Sequence, residues 1–160
     1  MPAATRANAV TLVLDTSGVV ALYDADADAH AGAVDAVRAA GLRLVPVAIL
    51  AEIDYMLAVR LSPEAALDFL RAVETGYYML EPFTREDAGF CRALIEKYAQ
   101  LNLGLADAAV MAVAERHHAA DVLSLDRRHF EVVRPVSFSA FRLWPAATPR
   151  AAARKAKRKR

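Results

Sequence analysis

Cysteine is nearly absent from this sequence, since Cys91 is the single cysteine among 160 residues. An internal disulfide is therefore excluded, and one thiol fits a protein of the reducing cytoplasm. His117 and His118 are neighbours that point to different sides of a helix, so no Cys/His set with zinc-ligand spacing is present. These absences leave carboxylates as the side chains from which a metal site would be built.

Long apolar runs are absent as well, although 56% of the residues are hydrophobic. No stretch approaches the ~20 apolar residues that a helix needs to span a bilayer. The first nine residues contain one arginine and no apolar h-region. We therefore expect no membrane segment, no signal peptide and a cytoplasmic location. A chain of this length is most simply one domain with a substantial core.

Positive charge is scarce in the body of the chain and concentrated at its end. Of the 20 basic residues, six lie in the last seven positions, so the remaining 14 face 19 acidic residues and the body has a net charge of −5. We expect residues 144–160 to form a disordered basic tail. Such a run either contacts nucleic acid or another polyanion, or only keeps the protein in solution.

Predicted strands and helices alternate along the chain, which indicates an α/β fold with a central parallel sheet and right-handed crossovers, over residues 10–143. We expect five strands, at about residues 10–14, 43–47, 77–80, 121–125 and 131–136. Helices are expected at about residues 18–23, 29–40, 47–60, 63–76 and 84–100, followed by one that has Asp107 in its first turn and a short one at 127–130.

Two of these strands end in an aspartate. The apolar run Val10–Leu14 stops at Asp15, and Val122–Leu125 stops at Asp126. If both strands are parallel members of one sheet, the two carboxylates emerge at the same edge. Ligands of open α/β sheets collect at that edge, beyond the carboxyl ends of the strands.

Other acids lie close to helix starts or on helix faces. Glu52 is predicted to lie inside the apolar stripe of its helix, where a carboxylate must be hydrogen-bonded, paired or bound to metal. Asp107 is an ordinary first-turn acid on the simplest interpretation. The acids Asp24, Asp26 and Asp28 are expected to cap the helix that follows them.

Several carboxylates gathered at one sheet edge would require a cation. Two unit charges ~4 Å apart repel by on the order of 4 kcal/mol at an effective dielectric of 20. Oxygen ligands favour Mg²⁺ or Mn²⁺, and such an ion suits hydrolysis of a phosphodiester by an activated water. Arg127, Arg128 and His129 directly follow Asp126 and are candidates to hold flanking phosphates of a nucleic acid, although a solvated turn explains them equally well.

At these residues the chain resembles the PIN-domain family, specifically the VapC-type toxins of bacterial toxin–antitoxin pairs. Four pieces carry the resemblance, in the right order and spacing across residues 10–136. They are Leu14-Asp15-Thr16-Ser17, Ala51-Glu52-Ile53, Leu103-Gly104-Leu105-Ala106-Asp107-Ala108 and Leu123-Ser124-Leu125-Asp126-Arg127-Arg128-His129-Phe130.

The resemblance implies a three-layer PIN-like domain with sheet order 3-2-1-4-5 and a metal-dependent endoribonuclease that acts as a toxin. Its acid quartet would be Asp15, Glu52, Asp107 and Asp126, supported by the hydroxyls of Ser17 and Ser124. Asp15, Asp107 and Asp126 would bind the ion, while Glu52 would position a metal-bound water.

The family also implies partners: an RNA substrate, a cognate VapB-like antitoxin and a second copy of the chain in a homodimer. The antitoxin would lie across apolar surface near residues 47–76, with Tyr55, Leu61 and Phe69 as candidate contacts. The sequence departs from many relatives at Asn102, where they carry an accessory acid.

Two other classes of function are compatible with the sequence. One is a phosphatase or phosphotransfer domain with Asp15 as nucleophile, but the second acid that such enzymes need two residues later is Ser17 here. The other is a non-catalytic RNA- or partner-binding module that uses the basic tail, with the acids in structural roles.

Overall fold

A central sheet of five parallel strands organises the molecule. A computed structural model describes residues 9–147 of the chain. The strands are β1 (Thr11–Leu14), β2 (Leu42–Pro46), β3 (Met79–Glu81), β4 (Asp121–Leu123) and β5 (Arg142–Trp144). Their order in the sheet is β3-β2-β1-β4-β5, with every neighbouring pair parallel. This confirms the predicted topology.

Helices flank the sheet and close its core. They are α1 (Thr16–Tyr23), α2 (His30–Ala39), α3 (Leu50–Arg60), α4 (Pro63–Glu74), α5 (Arg85–Lys97), α6 (Leu105–Arg116) and α7 (Arg127–Phe130). Short 3-10 turns precede α3 and α6, at Val47–Ile49 and Ala99–Leu101. Within the described residues, no helix is both long enough and apolar enough to cross a membrane.

Two helix starts follow the predicted capping chemistry. Ser62 caps α4, since its hydroxyl accepts a hydrogen bond from the backbone N–H of Ala65 at 3.2 Å. Thr84 and Asp87 form a reciprocal capping box at the start of α5. The start of α2 differs, because its first flanking residue is Ala29 and no side chain caps it. The expected capping role of Asp24, Asp26 and Asp28 is therefore wrong.

Helix α6 is the buried element that carries the site residue Asp107 into the fold. Its residues 108–114 are all buried, and it packs against β1 and β2. Small side chains make this close approach feasible, because four of the seven buried residues are alanine. The first turn of α6 is consequently fixed near the ends of the central strands.

The fifth strand lies later in the chain than predicted. Residues 131–136 form no strand, because two of their backbone N–H groups, those of Arg134 and Val136, donate to the side chains of Tyr98 and Glu115. Pro135 in this segment has no N–H to offer a ladder. The strand β5 instead ends at Trp144, and residues 148–160 of the expected basic tail lie outside the described residues.

The buried Asp121 joins β4 to β5. Its carboxylate accepts hydrogen bonds from Nε of Arg142 at 3.0 Å and from Nε1 of Trp144 at 2.7 Å. Burial opposes the charged form, but the hydrogen bonds and the guanidinium charge outweigh it and lower the pKa of Asp121 below its ordinary value. The ionised carboxylate therefore stabilises the sheet edge.

Asp121→Asn is expected to lower the free energy of unfolding at pH 7 by about 1–3 kcal/mol, the range for hydrogen bonds to a charged group. Since the pKa of Asp121 is depressed by folding, this contribution is present above the ordinary pKa of ~4 and is lost as the pH falls through the folded-state value. Urea unfolding of the wild type and of Asp121→Asn at pH 7 and at pH 3 measures the loss of unfolding free energy and its dependence on pH. The exposed Asp28→Asn is the matched control, and an equal loss for Asp121→Asn at both pH values would contradict the prediction.

Candidate active site

The four predicted acids line one cleft at the carboxyl ends of the central strands. Strands β1 and β4 are neighbours and end side by side, with Leu14 paired to Leu123. Beyond them lies an open cleft of about 730 Å³. Its charged lining residues are Asp15, Asp24, Glu52, Arg60, Asp107 and Asp126. Segments distant in the chain thus bring five carboxylates and the guanidinium of Arg60 to one cleft.

Asp15 is the most buried acid of the cleft, with 5% of its surface exposed. Its Oδ2 accepts hydrogen bonds from the hydroxyls of Ser17 at 2.9 Å and Ser124 at 2.7 Å. Burial raises the pKa of Asp15 and the charge of Asp107 adds to this, while the two hydroxyls act in the opposite direction. The predicted supporting residues Ser17 and Ser124 therefore both contact the first acid.

The same two hydroxyls also fix the chain that leads to the last acid. Ser17 Oγ accepts a hydrogen bond from the backbone N–H of Leu125 at 2.9 Å, and Ser124 Oγ accepts one from the N–H of Asp126 at 3.1 Å. Asp15 itself donates its backbone N–H to the carbonyl of Leu123 at 3.0 Å. The ends of β1 and β4 are consequently tied into one unit.

Asp107 and Asp126 face each other across the cleft with a histidine beside them. Single ligand atoms of Asp107, Asp126 and His129 lie within 4.8 Å of one another, close enough to hold one ion. Burial raises the pKa of Asp107 and the charge of Asp126 adds to this, whereas His129 lowers it. The closest trio among the described residues thus contains His129 in place of the expected Asp15.

Glu52 reaches the cleft from α3, but not in the way predicted. It is exposed, and the buried face of α3 is formed by Ile53 and Leu57, which continue from the buried Ile49 of the 3-10 turn. Glu52, Met56 and Arg60 form a neighbouring face at four-residue spacing, and this face lines the cleft. The expected burial of Glu52 in an apolar stripe is wrong because the stripe is shifted by one residue.

Sequence reasoning missed two charged residues of the cleft. Asp24 follows the last turn of α1, and Arg60 ends α3. Arg60 forms no ion pair with any carboxylate of the described residues. Its spacing of eight from Glu52 was the only available signal, since two helical turns place such residues on one face.

The predicted phosphate contacts Arg127, Arg128 and His129 have different surroundings. Arg127 pairs through Nε with Glu131 at 2.7 Å, and Arg128 is exposed, with its guanidinium 4.0 Å from Asp126. Neither arginine lines the cleft. His129 is buried and bonded to Asp107, so its expected contact with phosphate is wrong.

Comparison with known proteins finds a family match over most of the chain. The family model described as PIN domain matches residues 12–135. Ribonuclease VapC26 of Mycobacterium tuberculosis (strain ATCC 25618 / H37Rv) is 31% identical over 135 residues, which cover 84% of this chain and 100% of that protein.

Solved structures of similar fold include two bacterial proteins. Mycobacterium tuberculosis VapC20, described as a sarcin-ricin loop cleaving toxin, superposes with a TM-score of 0.69 at 17% identity, over 81% of this chain and 99% of its own. VapBC2 from Rickettsia felis, bound to a DNA fragment from its promoter, gives a TM-score of 0.62 at 14% identity, over 84% of this chain and 99% of the matched one. At these identities the two structures establish the fold.

Proposed function

The chain belongs to the PIN-domain family, and from this premise we propose that it is an endoribonuclease that acts as the toxin of a toxin–antitoxin pair. One observation carries the proposal: acids from four separate segments, Asp15, Glu52, Asp107 and Asp126, line a single cleft. The 31% identity to a ribonuclease along that relative's whole length supports the same reaction class.

The donor set fits a hard divalent ion. Five carboxylates line the cleft. Burial, and to a smaller extent the charge of a neighbouring carboxylate, raises the pKa of Asp15 and the pKa of Asp107, so a cation bound here would stabilise their ionised forms. Asp15, Asp107 and Asp126 would hold Mg²⁺ or Mn²⁺. When bound, such an ion activates water and neutralises charge that develops on a phosphodiester.

The other side chains have separate tasks in this reaction. Glu52 is exposed to the cleft, where its carboxylate orients the attacking water and accepts a proton from it. Arg60 has no acidic partner within residues 9–147, and its guanidinium at the cleft suits a phosphate of the RNA. The water oxygen forms a bond to phosphorus, the bond between phosphorus and the ribose oxygen breaks, and that oxygen takes a proton from solvent. Cys91 is buried, so no thiol takes part.

The partners follow from the toxin role. An antitoxin segment would cover the cleft and the exposed apolar residues of α3 and α4, which include Tyr55, Val59 and Leu67. The expected contact Phe69 is wholly buried and is therefore unsuitable, because it packs between Tyr23 and Tyr78. We further propose that two copies associate as a homodimer and that the toxin acts on RNA in the cytoplasm.

The experiment that tests the proposal measures cleavage of structured RNA by the full chain in Mg²⁺, in Mn²⁺ and after metal removal with EDTA. We expect strand cleavage with either ion, loss of at least 90% of the rate in EDTA, and recovery on addition of Mn²⁺. Uncontrolled expression of the same chain is expected to arrest bacterial growth.

Three outcomes would contradict this function. Equal cleavage rates with and without EDTA would show that the reaction needs no metal ion. RNA binding without any cleavage would favour a non-catalytic binding module. Turnover of small phosphate esters through an aspartyl-phosphate would instead identify Asp15 as a nucleophile.

A further inference from the structure

His129 is a buried polar residue to which the proposed reaction assigns no task. It lies in α7, is 3% exposed and does not line the cleft. A buried imidazole is costly unless its nitrogens find partners. Both nitrogens have one here, and the identities of those partners define what the residue does.

Both ring nitrogens of His129 lie within hydrogen-bond distance of an oxygen atom. Nε2 is 3.0 Å from the backbone oxygen of Leu101, and a carbonyl oxygen only accepts, so Nε2 carries a proton. Nδ1 is 2.9 Å from Oδ2 of Asp107, within hydrogen-bond distance. The imidazole is thus held in one orientation, with one edge against Asp107.

The position of His129 also connects the segments that bear the acids. It is three residues beyond Asp126, which caps α7 by accepting the N–H of Arg128. Through Asp107 and Leu101 it contacts the first turn of α6 and the 3-10 turn before it. Nδ1 is 3.9 Å from Oδ2 of Asp126, so the ring stands beside both carboxylates.

We propose that His129 is a positioning residue that orients the Asp107 carboxylate for a divalent ion. This inference rests on the proposed metal-dependent function and deepens it. It states that a residue in contact with a metal ligand, and not itself a ligand, raises the affinity of the site for the ion. Hydrogen-bond partners behind metal ligands contribute about 10–100-fold to metal affinity. His129 can provide this support because its ring is held at Nε2 by the Leu101 carbonyl and contacts Asp107 through Nδ1.

The test is calorimetric titration of Mn²⁺ into metal-free full-length protein. His129→Leu removes both hydrogen bonds and is expected to raise the dissociation constant for Mn²⁺ by about 10–100-fold. His129→Asn retains a donor close to the position of Nδ1 and is expected to recover part of that loss. His118→Asn is the control, because His118 is exposed and its positive φ of 49° is tolerated by asparagine.

Further readouts separate positioning from a merely structural role. The melting temperature of each metal-free variant reports the fold, and we expect His129→Asn to melt close to the wild type. Pulsed electron paramagnetic resonance of bound Mn²⁺ is expected to show no directly coordinated histidine nitrogen. At saturating Mn²⁺ the cleavage rate of His129→Asn should approach that of the wild type.

The outcomes distinguish this inference from the function beneath it. Wild-type affinity in His129→Leu, or a histidine nitrogen bonded to Mn²⁺, would overturn the positioning role and leave the nuclease proposal standing. Absence of Mn²⁺ binding by the wild-type protein would overturn both. A weaker affinity in His129→Leu that His129→Asn partly restores would establish the role.

Discussion

Asp126→Asn is expected to abolish RNA cleavage while the protein remains folded. The substitution removes one negative charge from the proposed metal site and keeps the shape of the side chain. Its structural role survives, because asparagine caps helices as well as aspartate does and still accepts the N–H of Arg128. A bound metal ion stabilises such a transition state by several kcal/mol. Losing about 4 kcal/mol of this stabilisation corresponds to a rate decrease of about 10³-fold.

Asp15→Asn is expected to lose cleavage to the same extent, but with a different effect on stability. Burial and the charge of Asp107 raise the pKa of Asp15, so its ionised form opposes folding at neutral pH. A neutral side chain relieves that cost and still accepts hydrogen bonds from Ser17 and Ser124. We therefore expect Asp15→Asn to melt at or above the temperature of the wild type. This one substitution would then remove activity without lowering stability.

Single-turnover cleavage in Mn²⁺ and thermal melting in EDTA measure the two effects. Asp35→Asn is the matched control, since Asp35 is exposed on α2, outside the cleft, and the charge change is identical. Activity within tenfold of the wild type in both Asp15→Asn and Asp126→Asn would exclude these carboxylates from the reaction. A collapse of the fold in Asp126→Asn would point to a structural role for this acid.

The topology could be predicted because the central strands have a simple signature. Short apolar runs alternate with helical periods, and β1 and β4 each lead into an aspartate of the cleft. Parallel strands bring such residues to one edge whatever the loops between them do. The convergence of Asp15 and Asp126 thus depends on local pattern and topology, which are both visible in the sequence.

The last strand could not be predicted because the local signal there is misleading. Residues 131–136 contain three valines and favour a strand by composition. Two of their N–H groups instead donate to the side chain of Tyr98, just after α5, and to that of Glu115 in α6. The observed β5 has three residues and is held by Asp121 through Arg142 and Trp144. A three-residue strand stabilised by a distant carboxylate has no period to detect.

Side-chain direction was the other limit on sequence reasoning. His129 lies in a helix of four residues, too short for an amphipathic pattern, so its neighbours suggested a basic surface turn. The position of Glu52 depends on which of two adjacent faces of α3 packs inward, a difference of one residue. Such choices are made by tertiary packing and not by local propensity.

Gly18→Ala is expected to destabilise the protein strongly. A Cβ at this position in α1 would lie 2.3 Å from the backbone oxygen of Leu123 and 2.6 Å from its carbonyl carbon. Backbone atoms cannot rotate away, so α1 and β4 must separate. Overpacking typically costs 1–3 kcal/mol, and a clash with backbone places the loss at about 3 kcal/mol or more.

The same separation is expected to damage the site. The Leu123 oxygen that would be struck accepts the N–H of Asp15 at 3.0 Å, and the next residue, Ser124, donates to the Asp15 carboxylate. Cleavage by Gly18→Ala should therefore fall even where the protein is still folded. Gly89→Ala is the control: Gly89 is exposed in α5 with no atom within 4 Å of an added Cβ. Alanine there should stabilise the helix by up to about 1 kcal/mol.

Urea unfolding and single-turnover cleavage of the two glycine variants make this comparison. If Gly18→Ala unfolds at the urea midpoint of the wild type, α1 does not pack against β4 as closely as described. If it is destabilised but cleaves RNA normally, the contact between α1 and β4 does not fix the geometry of Asp15. Only the combined loss of stability and cleavage, absent from Gly89→Ala, fits a cleft whose first acid is held by the approach of a helix to a strand.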